Sequence, residues 1–145
     1  INDAGLPLLN ELILDYGGPA IKSVLDVLSK RENHPVAFYC TAGKDRTGLI
    51  AMLVLSAIGV DDEAIINDYV LSDKIYEDLG DKSAMVGALQ QENLDPEKFL
   101  RAPRSVMEQT ITLVRQEYGS PAEYLKSIGF EEEDVERLRR ALCDD

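Results

Sequence analysis

The sequence predicts an α/β domain that is rich in helix and carries one clear central strand, at 36–40. Three observations lead there. The apolar run Val36-Ala37-Phe38-Tyr39 has the length of a strand, whereas Leu49-Ile50-Ala51-Met52-Leu53-Val54-Leu55 continues too long for one and reads as helix. Between the two lies a compact loop, Cys40-Thr41-Ala42-Gly43-Lys44-Asp45-Arg46-Thr47-Gly48. Elsewhere the apolar residues recur at helical spacing.

In chain order, Leu6–Leu14 and Ile21–Leu28 both carry that spacing, and Gly17-Gly18-Pro19 joins them as a break. No continuous apolar run of the kind that marks a strand buried on both faces precedes Val36. His34 stands before Pro35 and is read as the cap of a surface turn. The helix that begins at Thr47 ends at Gly59. Asp61 or Asp62 then caps the next, which runs through Ala64-Ile65-Ile66 to about Leu79-Gly80. A polar stretch from Gly80 to Pro96 follows, with 82–93 as the candidate mobile lid and Gln90 and Gln91 as solvated residues. A long helix near 103–118 and two shorter ones near 122–128 and 132–142 complete the chain. Arg101 and Arg104 are read as ion-pair or solvent residues, and Glu131-Glu132-Glu133-Asp134 as a helix start that suits the dipole.

The loop carries the chemistry. A free cysteine thiol has a pKa near ~8.5, so it is a weak nucleophile at neutral pH unless a helix N-terminus or cations favour the thiolate. Both are at hand at Cys40. If the loop curls at the start of a helix, the amides from Thr41 to Arg46 point inward and bind an anion, whether thiolate or phosphoryl oxygen. Ala42 and Gly43 keep the curl free of bulk. Arg46, separated from Cys40 by five residues, returns over the sulfur with a planar fork that grips two oxygens. Thr47 is placed to donate its hydroxyl to the thiolate. Lys44 adds a second cation, expected on the rim, and Asp45 is the loop's sole carboxylate and so its candidate general acid.

This loop resembles the signature of the cysteine-dependent protein tyrosine phosphatase superfamily. It is most similar to the branch with Gly-Lys-Asp-Arg-Thr in the loop, which covers bacterial, fungal and plant tyrosine, dual-specificity and phosphoinositide phosphatases. Glu117-Tyr118-Gly119-Ser120, followed by Tyr124-Leu125 and Ile128-Gly129, resembles the closing helices of that branch. The resemblance implies a phosphatase that hydrolyses phosphomonoesters through a cysteinyl-phosphate. Cys40 would be the nucleophile, Arg46 the phosphate clamp, Thr47 the thiolate stabiliser and Asp45 the acid. It implies no metal and no other cofactor. Tyr39 stands where the family has a histidine before the nucleophile, which implies a higher cysteine pKa and slower turnover. Because the family builds its loop on a parallel sheet, 1–145 is expected to be a single phosphatase-like domain, the C-terminal part of a longer one. Its N-terminal strands would lie on a segment that completes the sheet.

Composition narrows the partners. A net charge of −12 over 145 residues argues against a nucleic acid or an anionic membrane surface, while a phosphorylated protein or small phosphorylated substrate remains compatible. No apolar stretch is long enough for stable membrane insertion. Cys40 and Cys143 do not read as a disulfide framework, which favours a reducing, cytoplasmic setting, with an upstream targeting segment left open. A nucleotide-binding P-loop is excluded, since Phe38 and Asp45 occupy positions that need glycine and a hydroxyl residue. Two other readings of the loop stay open: a phosphate-binding pseudophosphatase that does not turn its ligand over, and a rhodanese-like sulfur carrier. Phosphotyrosine, phosphoserine or phosphothreonine, and phosphoinositide all stand as substrates.

Overall fold

The computed structural model describes residues 5–78, 81–93 and 95–143, with the side chains of 75–77, 97 and 98 outside that description. Its elements in chain order are α1 (Gly5–Tyr16), α2 (Gly18–Leu28), a 3-10 turn (Arg31–Asn33), α3 (Asp45–Ala57), α4 (Asp62–Asp78), α5 (Ser83–Gln91), α6 (Pro96–Phe99), α7 (Arg104–Tyr118), α8 (Pro121–Ser127) and α9 (Glu132–Cys143).

The expected α/β class is overturned: among the described residues the fold is all-helical, and Val36–Cys40 forms no strand. The physical reason is pairing. A strand exists through the hydrogen-bonded ladder it shares with a neighbour, and no second strand lies among the described residues. The segment instead runs as irregular chain into the loop. Val36 tucks against the core, while Phe38 and Tyr39 are exposed.

The helices form where the sequence places their stops and starts. Gly17 closes α1, since a side chain there would lie 2.4 Å from the Ile13 carbonyl oxygen, and Pro19 sits in the first turn of α2. Gly59 follows α3 with a φ of +94°, which glycine adopts without strain. Asp61, of the two expected caps, is the one used: its Oδ1 accepts from the Ala64 amide at 2.9 Å. His34 closes its turn through Nε2, 2.8 Å from the Leu28 carbonyl at the end of α2. Ser120 caps α8 by accepting from the Glu123 amide at 3.1 Å. The 80–96 stretch departs from its polar reading, for α5 occupies 83–91; it buries no residue, and Gln90 and Gln91 are exposed on it.

Helices α3 and α7 are central. Helix α7 packs against α1, α4 and α8, and α3 packs against α1, α4, α8 and α9. Leu49, Met52 and Leu53 of α3 and Met107, Ile111 and Val114 of α7 are all buried in one core that also takes in Tyr124, Leu125 and Phe130. Two polar ties fix the first helix on this core. The buried Asn10 donates to Thr110 Oγ1 at 2.8 Å, and the Tyr124 hydroxyl donates to the Leu14 carbonyl at 3.0 Å. Tyr118 meets Tyr124 edge-on with ring centroids 4.8 Å apart, so the tyrosines of the C-terminal motif pin α8 to α7 and α1. The cysteine loop leads into the N-terminus of α3, which packs against α1, α4, α8 and α9.

Candidate active site

Position 40 lies at the end of the irregular segment and position 45 opens α3, so the loop spans the five residues from Cys40 to Lys44. Gly43 has a φ of +67°, and Lys44 is the N-cap. This turn aims the first amides of the helix back at the sulfur. Helix N-termini leave these donors without partners inside the helix.

Cys40 is half-buried. Burial pushes its thiol up, but the Thr47 hydroxyl and the amides of Thr47, Gly43 and Lys44 outweigh it, bringing the pKa from 9.0 down to about 7. The Thr47 hydroxyl is buried without a hydrogen-bond partner among the described residues, and of the groups around Cys40 it does most to favour the thiolate. Arg46 reaches back across the loop, its exposed guanidinium donating from Nη2 to Thr41 Oγ1 at 3.1 Å. Cys40, Thr41, Gly43, Lys44, Arg46 and Thr47 are therefore joined in one constellation. Ala42 lines the same turn without a polar side chain to add.

Lys44 departs from expectation. Its side chain is only 3% exposed, turned inward rather than standing on the rim, and its ammonium lies 2.6 Å from Asp45 Oδ1. Its backbone amide favours the Cys40 thiolate, and its ammonium also acts on the sulfur. Burial lowers the lysine's pKa against the pull of Asp45, Cys40 and Asp73. The same burial raises Asp45, against the opposing pull of Lys44 and Arg46. A carboxyl held above its usual range at the start of the helix that follows Cys40 is suited to carrying a proton.

Two residues of α4 join this site that the sequence reading did not pick out. The Tyr69 ring packs on Gly48, so closely that a methyl group there would lie 2.9 Å from Cδ2. Asp73, one turn on, accepts from Arg101 Nε at 2.9 Å, Arg101 Nη2 at 2.8 Å and the Ala102 amide at 2.7 Å. The available signal was spacing: Asp45 and Gly48 share a face of α3, as Tyr69 and Asp73 share a face of α4. Tyr39 stays outside the site, 86% exposed, and braces nothing in the loop. Arg104 also lies outside it, bound to Glu63, Glu108 and Asn67 on the α4–α7 face.

A cysteine, a returning arginine and a ring of amides at a helix start define an anion-handling cysteine loop of the tyrosine phosphatase kind. Residues 3–144 match the pattern of the tyrosine phosphatase family, and the chain belongs to that family. It is 33% identical over 135 residues to a tyrosine-protein phosphatase from Nostoc commune, a match that covers 89% of this chain and 46% of the relative. It is 32% identical over 130 residues to the triple specificity protein phosphatase PtpB of Mycobacterium tuberculosis, covering 74% of this chain and 44% of that protein. The chain thus spans a little under half the length of these curated relatives. Among the described residues no helix is long and apolar enough to cross a membrane.

Proposed function

We propose that this chain carries the catalytic loop of a phosphatase that hydrolyses phosphomonoesters through a cysteinyl-phosphate. The observation that carries the reading is the loop itself: Cys40 lies just ahead of the N-terminus of α3, and the Arg46 guanidinium returns across the loop to Thr41 Oγ1. The thiolate attacks phosphorus in line with the ester oxygen. As the bond to the leaving oxygen breaks, the loop amides and Arg46 hold the three spreading equatorial oxygens. Asp45 protonates the leaving oxygen. Water then attacks the thiophosphate, with Asp45, now a carboxylate, taking the water's proton and Cys40 leaving as thiolate.

Phosphorylated protein is the substrate class we favour. The relatives' names, tyrosine-protein phosphatase and triple specificity protein phosphatase, support phosphotyrosine and a broader phosphoprotein range. The phosphoinositide alternative loses one support, because the Lys44 charge that would engage a second phosphate is buried in its pair with Asp45. The pseudophosphatase reading rests on the exposed Tyr39 in place of the family's histidine.

Steady-state hydrolysis of p-nitrophenyl phosphate by the intact protein and its Cys40→Ser variant tests the proposal. Turnover that disappears in the variant while vanadate still binds is the expected result. Vanadate binding with no turnover in either protein would favour the pseudophosphatase.

A further inference from the structure

Tyr69 presents an unexplained group behind the loop. The residue is 4% exposed, and its hydroxyl is buried without a hydrogen-bond partner among the described residues. An unpaired buried hydroxyl has an energetic cost, and native folds leave few of them. Its ring lies on Gly48, one helical turn from Asp45, and its own helix carries Asp73 one turn on. These two carboxylates are the acidic groups that act on the hydroxyl.

They differ in what they have left to accept. Asp73 already takes three donors, from Arg101 and from the Ala102 amide. Asp45 takes one, Lys44 Nζ on Oδ1, and its Oδ2 has no hydrogen-bond partner among the described residues. A carboxylate has about four acceptor positions. Asp45 thus has unused capacity one turn along α3 from Gly48, the residue against which the ring of the unused donor Tyr69 packs.

We propose that Tyr69 is a positioning residue for the acid step, its hydroxyl being the donor that the Asp45 carboxylate takes up once Asp45 has passed its proton to the leaving oxygen. This rests on the reading of Asp45 as general acid. In that step the phosphorus–oxygen ester bond breaks as the sulfur–phosphorus bond forms. The proton moves from the Asp45 carboxyl to the departing oxygen, and the negative charge appears on Asp45. Tyr69 gives up no proton. Burial, with Asp45 and Asp73 nearby, holds its phenol well above the ordinary range, so it remains a donor throughout. A hydrogen bond that forms as charge develops lowers the barrier without tightening substrate binding.

The test is Tyr69→Phe in the intact protein, compared on phenyl phosphate and p-nitrophenyl phosphate. Phenol is the poorer leaving group and depends more on the acid. We expect kcat on phenyl phosphate to fall about ten- to hundred-fold, the range for one hydrogen bond to a charged group. The loss on p-nitrophenyl phosphate is expected to be several-fold smaller. KM and vanadate affinity are expected to hold, because the ring still covers Gly48. Equal losses on both substrates, or no loss, would overturn the proposal, as would loss of vanadate binding along with activity, which would make Tyr69 a structural support of the loop. The wild-type and Cys40→Ser proteins, run alongside, keep the two readings apart. Cys40-dependent turnover with an unaffected Tyr69→Phe removes only this inference, whereas its absence from the wild type removes the phosphatase reading and this inference together.

Discussion

The Lys44 ammonium and Asp45 Oδ1 stand 2.6 Å apart, with side-chain exposures of 3% and 15%. Neighbours in sequence, they turn the loop's two opposite charges into a buried pair at the start of α3. A pair so placed is held by mutual dependence, since either charge alone would be stranded in a poor solvent. Lys44→Met should therefore destabilise the fold by up to about 3 kcal/mol at a pH where Asp45 is ionised, and by less where it is protonated. Urea denaturation of the intact protein measures it. Removing the opposing cation should also raise the Asp45 pKa further, moving the basic limb of the kcat profile to higher pH.

The thiolate makes its own prediction. Alkylation of Cys40 by iodoacetamide should rise with pH to a midpoint near 7, set by the donors that hold the pKa there against 9.0 for an ordinary thiol. Thr47→Val should move that midpoint upward, towards 9.0, and Thr47→Ser should leave it nearly in place. Cys143 is exposed, so both are best measured on a Cys143→Ser background. The linkage sign follows from the lowered pKa. The unfolded thiol binds its proton more tightly, so the stabilisation is complete above 9.0 and is lost as the pH falls through about 7.

Gly48 tests the contact between α3 and α4. Alanine ordinarily stabilises a helix interior over glycine by about 1 kcal/mol. Here its methyl group would lie 2.9 and 3.1 Å from the carbons of the buried Tyr69 ring. Gly48→Ala should instead destabilise, by roughly 1–3 kcal/mol, as the ring or the helix gives way. A thermal melt that moved upward would show the ring to be freely displaceable.

Arg46 should not be replaceable by lysine. Its fork spans two phosphoryl oxygens, which an ammonium cannot match in the same place. Arg46→Lys is expected to lower kcat/KM for an aryl phosphate by about a hundred-fold. Its exposed side chain predicts little change in the urea midpoint, and that pairing of outcomes separates a lost clamp from a lost fold.

What could be read in the sequence followed from local rules. Gly59 and Asp61 act where capping chemistry places them, and the loop residues gather round Cys40 because their spacing obliges them to. Val36–Cys40 failed as a strand because pairing is a property of two segments, and an apolar run of the right length reveals only one. Helix α5 was legible only at Gln90 and Gln91, read as solvated helix residues, because it buries no residue that would have marked the rest of it. Lys44 read as a rim cation, as lysines usually are; only the tertiary fold shows that its neighbour Asp45 follows it inward. Tyr69 and Asp73 belong to the site through the crossing of α3 and α4, which no stretch of either helix encodes alone.

The central claim is that the Cys40 sulfur takes the phosphoryl group. Acid-quenching the intact protein during turnover of p-nitrophenyl phosphate, followed by mass spectrometry of its peptides, tests it directly. The account predicts one added phosphoryl group on the peptide containing Cys40, absent from Cys40→Ser. Undiminished turnover by Cys40→Ser, or a phosphoryl group trapped on another residue, would contradict it.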